Sequence, residues 1–173
     1  MLTQSRRAFT LVEILMVVLI LAITSAIIIP QIGSRNDLKA AAAARVVMAD
    51  LIWAQNRAIS TQQKQYVVFS GQNYTIYYRD TDGTLKTCTN PVSLQTYTTC
   101  FGVKGTPLCD VKISETPCFG TCSSVCFDEM GTPYGYDGTN ELSLTSQGTI
   151  KLGCDTQALT ITIEPYTGEA SVQ

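Results

Sequence analysis

The sequence predicts an α+β protein: a long N-terminal helical spine, its first half transmembrane, packed through its second half on a mainly antiparallel β-sheet head. Three observations predict it. An apolar run without charge extends from Ile14 to Ile29. A helix-favouring stretch with apolar residues at helical spacing follows over 37–62. Short runs rich in Val, Tyr, Ile and Thr, punctuated by Gly, fill most of the remainder. The 173 residues suit one domain plus an appendage.

The apolar run holds only Thr24 and Ser25 as polar residues. With Phe9 to Val12 it is about 20 residues long, the length of a helix that spans a bilayer. Arg6 and Arg7 precede it, so this end stays cytoplasmic and the remainder is exported. An ordinary secretory signal reads differently. Here the basic pair is followed almost at once by Phe9, and no small-x-small site closes a short apolar region, although Ala22 and Ala26 lie near its end. Glu13 is the second anomaly. A carboxylate in an otherwise uncharged membrane helix costs roughly 2.5–3.5 kcal/mol on insertion scales, so it calls for a partner.

The stretch Ala8-Phe9-Thr10-Leu11-Val12-Glu13 resembles the prepilin signal of the type IV pilin-like superfamily. The resemblance implies a leader at 1–8, cleavage between Ala8 and Phe9 by a prepilin peptidase, and N-methylation of Phe9. It also implies that 9–35 is retained as the transmembrane and assembly helix, and that Glu13 meets the terminal amine of a neighbouring subunit. Two charges that are costly alone in lipid neutralise one another on such docking. Pro30 matches a position where the family's helix carries a proline, which removes an N–H and kinks the helix. One departure is visible. The family favours Gly before the cut and this chain has Ala8, which implies slower processing.

The second helical stretch contains Ala40 to Ala44, a strong helix former. Val47, Leu51, Ala54 and Ala58 share one face, with Met48, Ile52 and Ile59 beside it. Asn36 or Asp37 can cap its start, and Arg45, Asp50, Gln55 and Arg57 supply polar positions. Trp53 reads as a packing residue at the rim or a partner contact. Strands are expected over 65–70 and 74–79, joined by a turn at 71–73, and again over 141–144, 149–153 and 158–163. Asp80-Thr81-Asp82-Gly83 resembles the opening of a calcium loop but lacks its remaining ligands, so a plain turn is expected.

The head, 36–173, holds a Cys-, Thr- and Gly-rich insertion at about 87–126 that shows weak periodicity and reads as long loops held by cross-links. The rest of the head is similar to H-type minor pseudopilins of type II secretion and to FimT-type minor pilins. The similarity rests on Leu51-x-x-Ala54-x-x-x-Ala58-Ile59 with the strand at Tyr66 to Phe69, on Phe127-Asp128-x-x-Gly131-x-Pro133, and on Ile161-x-Ile163-x-Pro165-x-Thr167-Gly168.

Seven cysteines lie beyond the apolar run: Cys88, Cys100, Cys109, Cys118, Cys122, Cys126 and Cys154. In an exported head they are disulfide candidates, with one left over at full pairing and the connectivity open. Cys118-x-x-x-Cys122-x-x-x-Cys126 invites a zinc reading, but such sites pair with a second distant ligand set. No metal and no cofactor are expected.

Composition excludes several function classes. There is no His, which removes Ser-His-Asp and Cys-His catalysis. No Gly-rich phosphate loop occurs. An enzyme would need a carboxylate pair such as Asp128 and Glu129, whose adjacent positions on a strand point to opposite faces. Net charge is −2, and loss of Arg6 and Arg7 with the leader leaves 10 basic against 14 acidic residues. The closing segment carries Glu164 and Glu169 and no cation after Lys151. Nucleic acid binding needs clustered cations, so DNA uptake by a FimT-like protein stands as the alternative rather than the leading reading. The expected function is structural: a minor pilin or pseudopilin, not an enzyme, held by one pass in the bacterial inner membrane with its head in the periplasm or outside. Its expected partners are other pilin or pseudopilin subunits and the prepilin peptidase.

Overall fold

The computed structural model describes residues 9–28, 35–106, 108–155 and 157–173. The chain divides into two compact units, Met1–Arg35 and Asn36–Gln173. The first contains helix α1 (Leu11–Ile28). The leader at 1–8, Ala8 within it, and Pro30 with its expected kink lie outside the described residues.

The second helix, α2 (Arg35–Thr61), is 27 residues long and carries Asp37 in its first turn, where a carboxylate complements the helix dipole. It buries one face. Ala40, Ala43, Ala44, Val47, Leu51, Ala54 and Ala58 are each at most 2% exposed. Alanine at five of these seven positions lets the sheets approach the helix axis closely. α2 ends in a Schellman turn: Gln62 sits in the left-handed region at φ 51° and Gln63 donates its N–H to the Ala58 carbonyl at 3.3 Å. The Gln62 amide holds this unusual non-glycine conformation by donating to the Ile59 and Glu129 carbonyls.

All strand pairs are antiparallel. The larger sheet runs β3 (Leu85–Thr87), β2 (Asn73–Arg79), β1 (Gln65–Ser70), β6 (Ser124–Phe127), β7 (Pro133–Tyr136) and β8 (Glu141–Ser143). β4 (Thr98–Cys100) shares with β3 the outer edge of β2, pairing with Asn73–Thr75 while β3 pairs with Tyr77–Arg79. The smaller sheet runs β11 (Ala170–Val172), β10 (Gln157–Ile163), β9 (Gly148–Cys154) and β5 (Lys112–Ile113). β1 and β2 are joined through Gly71-Gln72, with Gly71 at φ 60° supplying the positive angle that a tight hairpin needs.

One core cluster joins the α2 face to Val67, Ile76, Val125 and Phe127 of the larger sheet and to Ile150, Leu152, Ile161 and Ile163 of the smaller. Fully burying each such aliphatic side chain stabilises the fold by about 1.5–3 kcal/mol. A second cluster, Tyr66, Cys126 and Tyr136, lies apart from it. Tyr66 and Cys126 alternate with Val67 and Val125, so the clusters occupy opposite faces of the larger sheet.

Two expectations change. The section 87–126 was expected to contribute few core residues, yet Cys88, Tyr97, Phe101, Val111, Ile113 and Phe119 all join the main cluster. Cys88, Tyr97, Phe101 and Phe119 are flanked by Thr, Gly or Cys, so no period betrays them. The same section contains β4, β5 and most of β6, a central strand paired on both sides. Asp50, read as one of the polar positions of α2, is 9% exposed. Its place three residues after Val47 and four before Ala54 puts it on the apolar face.

Candidate functional site: an apolar helix with one carboxylate, and the polar junctions of the head

The N-terminal unit is governed by its first turn. Thr10 precedes α1 and its hydroxyl oxygen accepts the Glu13 backbone N–H at 3.2 Å, while its carbonyl accepts the Ile14 N–H at 3.3 Å. Thr10 is therefore the N-cap, and Thr10-x-x-Glu13 has the spacing of a capping box. Glu13 stands at the third helical position, where the dipole favours a negative charge. Among the described residues its carboxylate has no hydrogen bond or ion pair.

Beyond it the helix is apolar on every side. Every large apolar side chain from Phe9 to Ile23 is at least 50% exposed. The two hydroxyls are turned inward on the backbone. Thr24 donates to the Ile20 and Leu21 carbonyls at 3.0 and 3.1 Å, and Ser25 to Leu21 at 2.6 Å. This leaves Glu13 as the one polar side chain of 11–25 without a partner among the described residues. A helix apolar all round belongs in an apolar environment that the helix does not itself provide. At 1.5 Å per residue its 18 residues measure about 27 Å against about 30 Å for a bilayer core. Among the described residues no helix is long and apolar enough to cross a membrane.

In the head, the turns around Gly131 and Thr167 meet at Gln55 of α2. Its side-chain amide donates to the Gly131 carbonyl at 2.9 Å and to the Thr167 carbonyl at 2.8 Å. Asp128 shapes the first turn, its Oδ1 accepting the Met130 and Thr132 N–H groups at 2.9 and 2.7 Å. Gly131 (φ 84°) and Gly168 (φ 69°) must be glycine. A Cβ on Gly131 would lie 2.9 Å from Ile59, and one on Gly168 would lie 2.6 Å from the Gln55 amide and 2.9 Å from the Gly131 carbonyl. Asp128 thus serves a turn.

Asp50 is a buried polar hub that the sequence reading missed. Tyr74 and Tyr97 donate their hydroxyls to its carboxylate at 2.6 and 2.9 Å, and Thr99 at 3.0 Å. Burial and then the Asp50 charge push both tyrosine hydroxyls above their ordinary range. Trp53 packs on Tyr97 with ring centroids 4.5 Å apart, and the Arg57 guanidinium lies over the Trp53 ring, 5.2 Å from its centroid. It is a packing residue of the α2 rim.

A second cluster surrounds Glu141. Its carboxylate pairs with Lys64, accepts the Tyr66 hydroxyl at 2.6 Å and lies 3.9 Å from Arg79. Burial alone would raise the Glu141 carboxyl, but Lys64 and Tyr66 outweigh it and hold the group below the usual carboxylate range. Cys126 lies in the same cluster, and burial pushes its thiol up to about 12. In Asp80–Gly83, the expected turn closes through Gly83 N–H to the Asp80 carbonyl at 2.9 Å, and Asp80 is paired with Lys86.

None of the seven cysteines is joined to another in the structure. Cys88, Cys122, Cys126 and Cys154 are buried, Cys109 is half-buried, and Cys100 and Cys118 are exposed. The zinc reading of Cys118, Cys122 and Cys126 fails on placement. Phe119 and Cys122 exchange both backbone hydrogen bonds across Gly120-Thr121, so Cys118 and Cys122 project to opposite faces. Among the described residues no group of three metal-binding side chains converges.

Neither the curated proteins nor the solved structures contain a match to this chain. Residues 3–29 match the family model of the prokaryotic N-terminal methylation motif, which is the signal of type IV pilin-like prepilins, and the match ends before the head begins.

Proposed function

We propose that the chain is a minor pilin or pseudopilin, a structural subunit of a type IV pilus-like or type II secretion filament. The carrying observation is the coincidence of the methylation motif with a helix that is apolar on all sides and bears, at its third position, a carboxylate with no partner among the described residues. Prepilin peptidase cuts between Ala8 and Phe9 and the new amine is methylated. The apolar segment, extended by the residues up to 35, holds the subunit in the inner membrane before assembly. Glu13 then finds its partner in the terminal amine of a neighbouring subunit. The junction at Gln55, built from the residues that resemble H-type and FimT-type heads, supports a minor subunit over a major one. DNA uptake stays the alternative. Lys39, Lys64, Arg79, Lys86 and Lys151 all pair with carboxylates, which does not favour counterion release.

Intact mass and N-terminal sequencing of the protein from its native membrane test this reading. A chain beginning at N-methylated Phe9 is the expected result. A chain that still begins at Met1 in cells with an active prepilin peptidase overturns it.

A further inference from the structure

Seven thiols in one head raise the question of which can meet. Cys88 belongs to the main core, where its S–H donates to the Gln65 side-chain oxygen at 3.2 Å. Cys126 lies in the cluster on the opposite face of the larger sheet. Cys118 and Cys122 are held on opposite faces of their own tight turn. Cys109 and Cys154 differ from all of these, because they line one cleft of about 750 Å³ together with Asp110 and Asp155.

Three features bring them there. β5 pairs with β9 through Lys112 and Gly153, so the chain just before β5 runs beside Cys154. Lys39 of α2 pairs with Asp110, which fixes the residue next to Cys109 against the start of the helix. Asn36 donates to Asp155, next to Cys154, at 3.5 Å. The Lys39 ammonium feels both sulfurs after its stronger bond to Asp110, and burial raises the Cys154 thiol while Lys39 opposes that rise.

We infer that Cys109 and Cys154 form the disulfide of this head, clamping the section that precedes β5 to the end of β9 beside the start of α2. The step is thiol–disulfide exchange with an oxidised dithiol protein or a small disulfide. The Cys109 thiolate attacks the oxidant's S–S bond, and Cys154 displaces the mixed disulfide. One S–S bond forms in the head as one breaks in the oxidant, and the two thiol protons end on the two released thiols. Cys109, half-buried, is the sulfur an oxidant reaches first. The bond closes a loop of 46 residues that contains the last part of the Cys-rich section, from Cys109 to Cys126. In the chain-entropy account such a loop raises the melting temperature by about 10 °C. The inference is independent of processing at Phe9.

The test uses the full chain in detergent micelles, equilibrated with oxidised and reduced glutathione, alkylated under denaturing conditions and digested without reductant. A cross-linked peptide pair containing Cys109 and Cys154, a melting temperature about 10 °C above that of the reduced chain, and loss of both in Cys109→Ser are expected. Cys109→Ser alters the more accessible sulfur and keeps the test open should Cys154→Ser fail to fold. Recovery of Cys109 and Cys154 as alkylated or glutathione-capped thiols, or either one joined to a different cysteine, overturns the inference.

Discussion

The two helices of this protein meet the same demand in opposite ways. α2 has a divided surface: its alanine-rich face disappears into the head, and the buried Asp50 among those alanines is satisfied by three hydroxyls. α1 has no divided surface. Its apolar side chains point outward on every side and its hydroxyls bond back to its own carbonyls. The difference shows where each helix finds its stabilising environment. For α2 that environment is encoded in the same chain, and for α1 the described residues do not provide one.

Removing α1 breaks this contrast most directly and gives the largest effect. Deletion of residues 1–35 is expected to turn a detergent-dependent protein into a monomer soluble in plain buffer, read by size-exclusion chromatography. A truncated head that still needs detergent would place an unsatisfied apolar surface in the second unit as well.

Within the head, Asp50→Ala removes the acceptor shared by Tyr74, Tyr97 and Thr99 and leaves buried hydroxyls unpaired. A loss of about 3–5 kcal/mol in urea unfolding is expected. If the loss stays below about 1 kcal/mol, the hub is not what fixes α2 to β2 and β4. Gly168→Ala is expected to cost about 2–3 kcal/mol, because it meets both a left-handed φ and a backbone carbonyl that cannot move aside. Gly138→Ala is the control, with a positive φ but open space around it.

The smallest effect concerns Glu141, whose folded carboxyl is held below its ordinary value of 4.5. A depressed folded pKa stabilises the head above the unfolded value, and that contribution is lost as pH falls through about 4.5 and below. Glu141→Gln is expected to cost about 1 kcal/mol at pH 7 and nearly nothing at pH 3, measured by thermal melting across that range. An equal loss at both pH values would assign the effect to packing instead of charge.

What could be read in advance follows from periodicity. β1 occupies Gln65–Ser70, the expected run rich in Val, Tyr and Phe, and β10 contains the expected run from Ala158 to Ile163. β6 and β7 were not foreseen. Ser124 to Phe127 are all buried, since Val125 and Cys126 fill cores on opposite faces, so no polar face alternates with an apolar one. In β7, Pro133 and Gly135 weaken the strand signal, and pairing with β6 and β8 makes the segment a strand. Of the candidate site, the methylation motif was legible because residues 3–29 concentrate the signal. The Asp50 hub was not, because its partners Tyr74, Tyr97 and Thr99 come from strands and loops 24 to 49 residues away.

Gln55 has a consequence for the timing of folding. One side-chain amide secures turns 76 and 112 residues downstream of it. The junction therefore cannot close until nearly the whole chain is present, and contacts of such sequence separation form late and slowly. A chain synthesised from its N-terminus would remain open, α2 formed but uncovered, until its last ten residues arrive. The head is thus completed from its C-terminal end, which makes the final turn at Thr167-Gly168 the latch on which maturation waits.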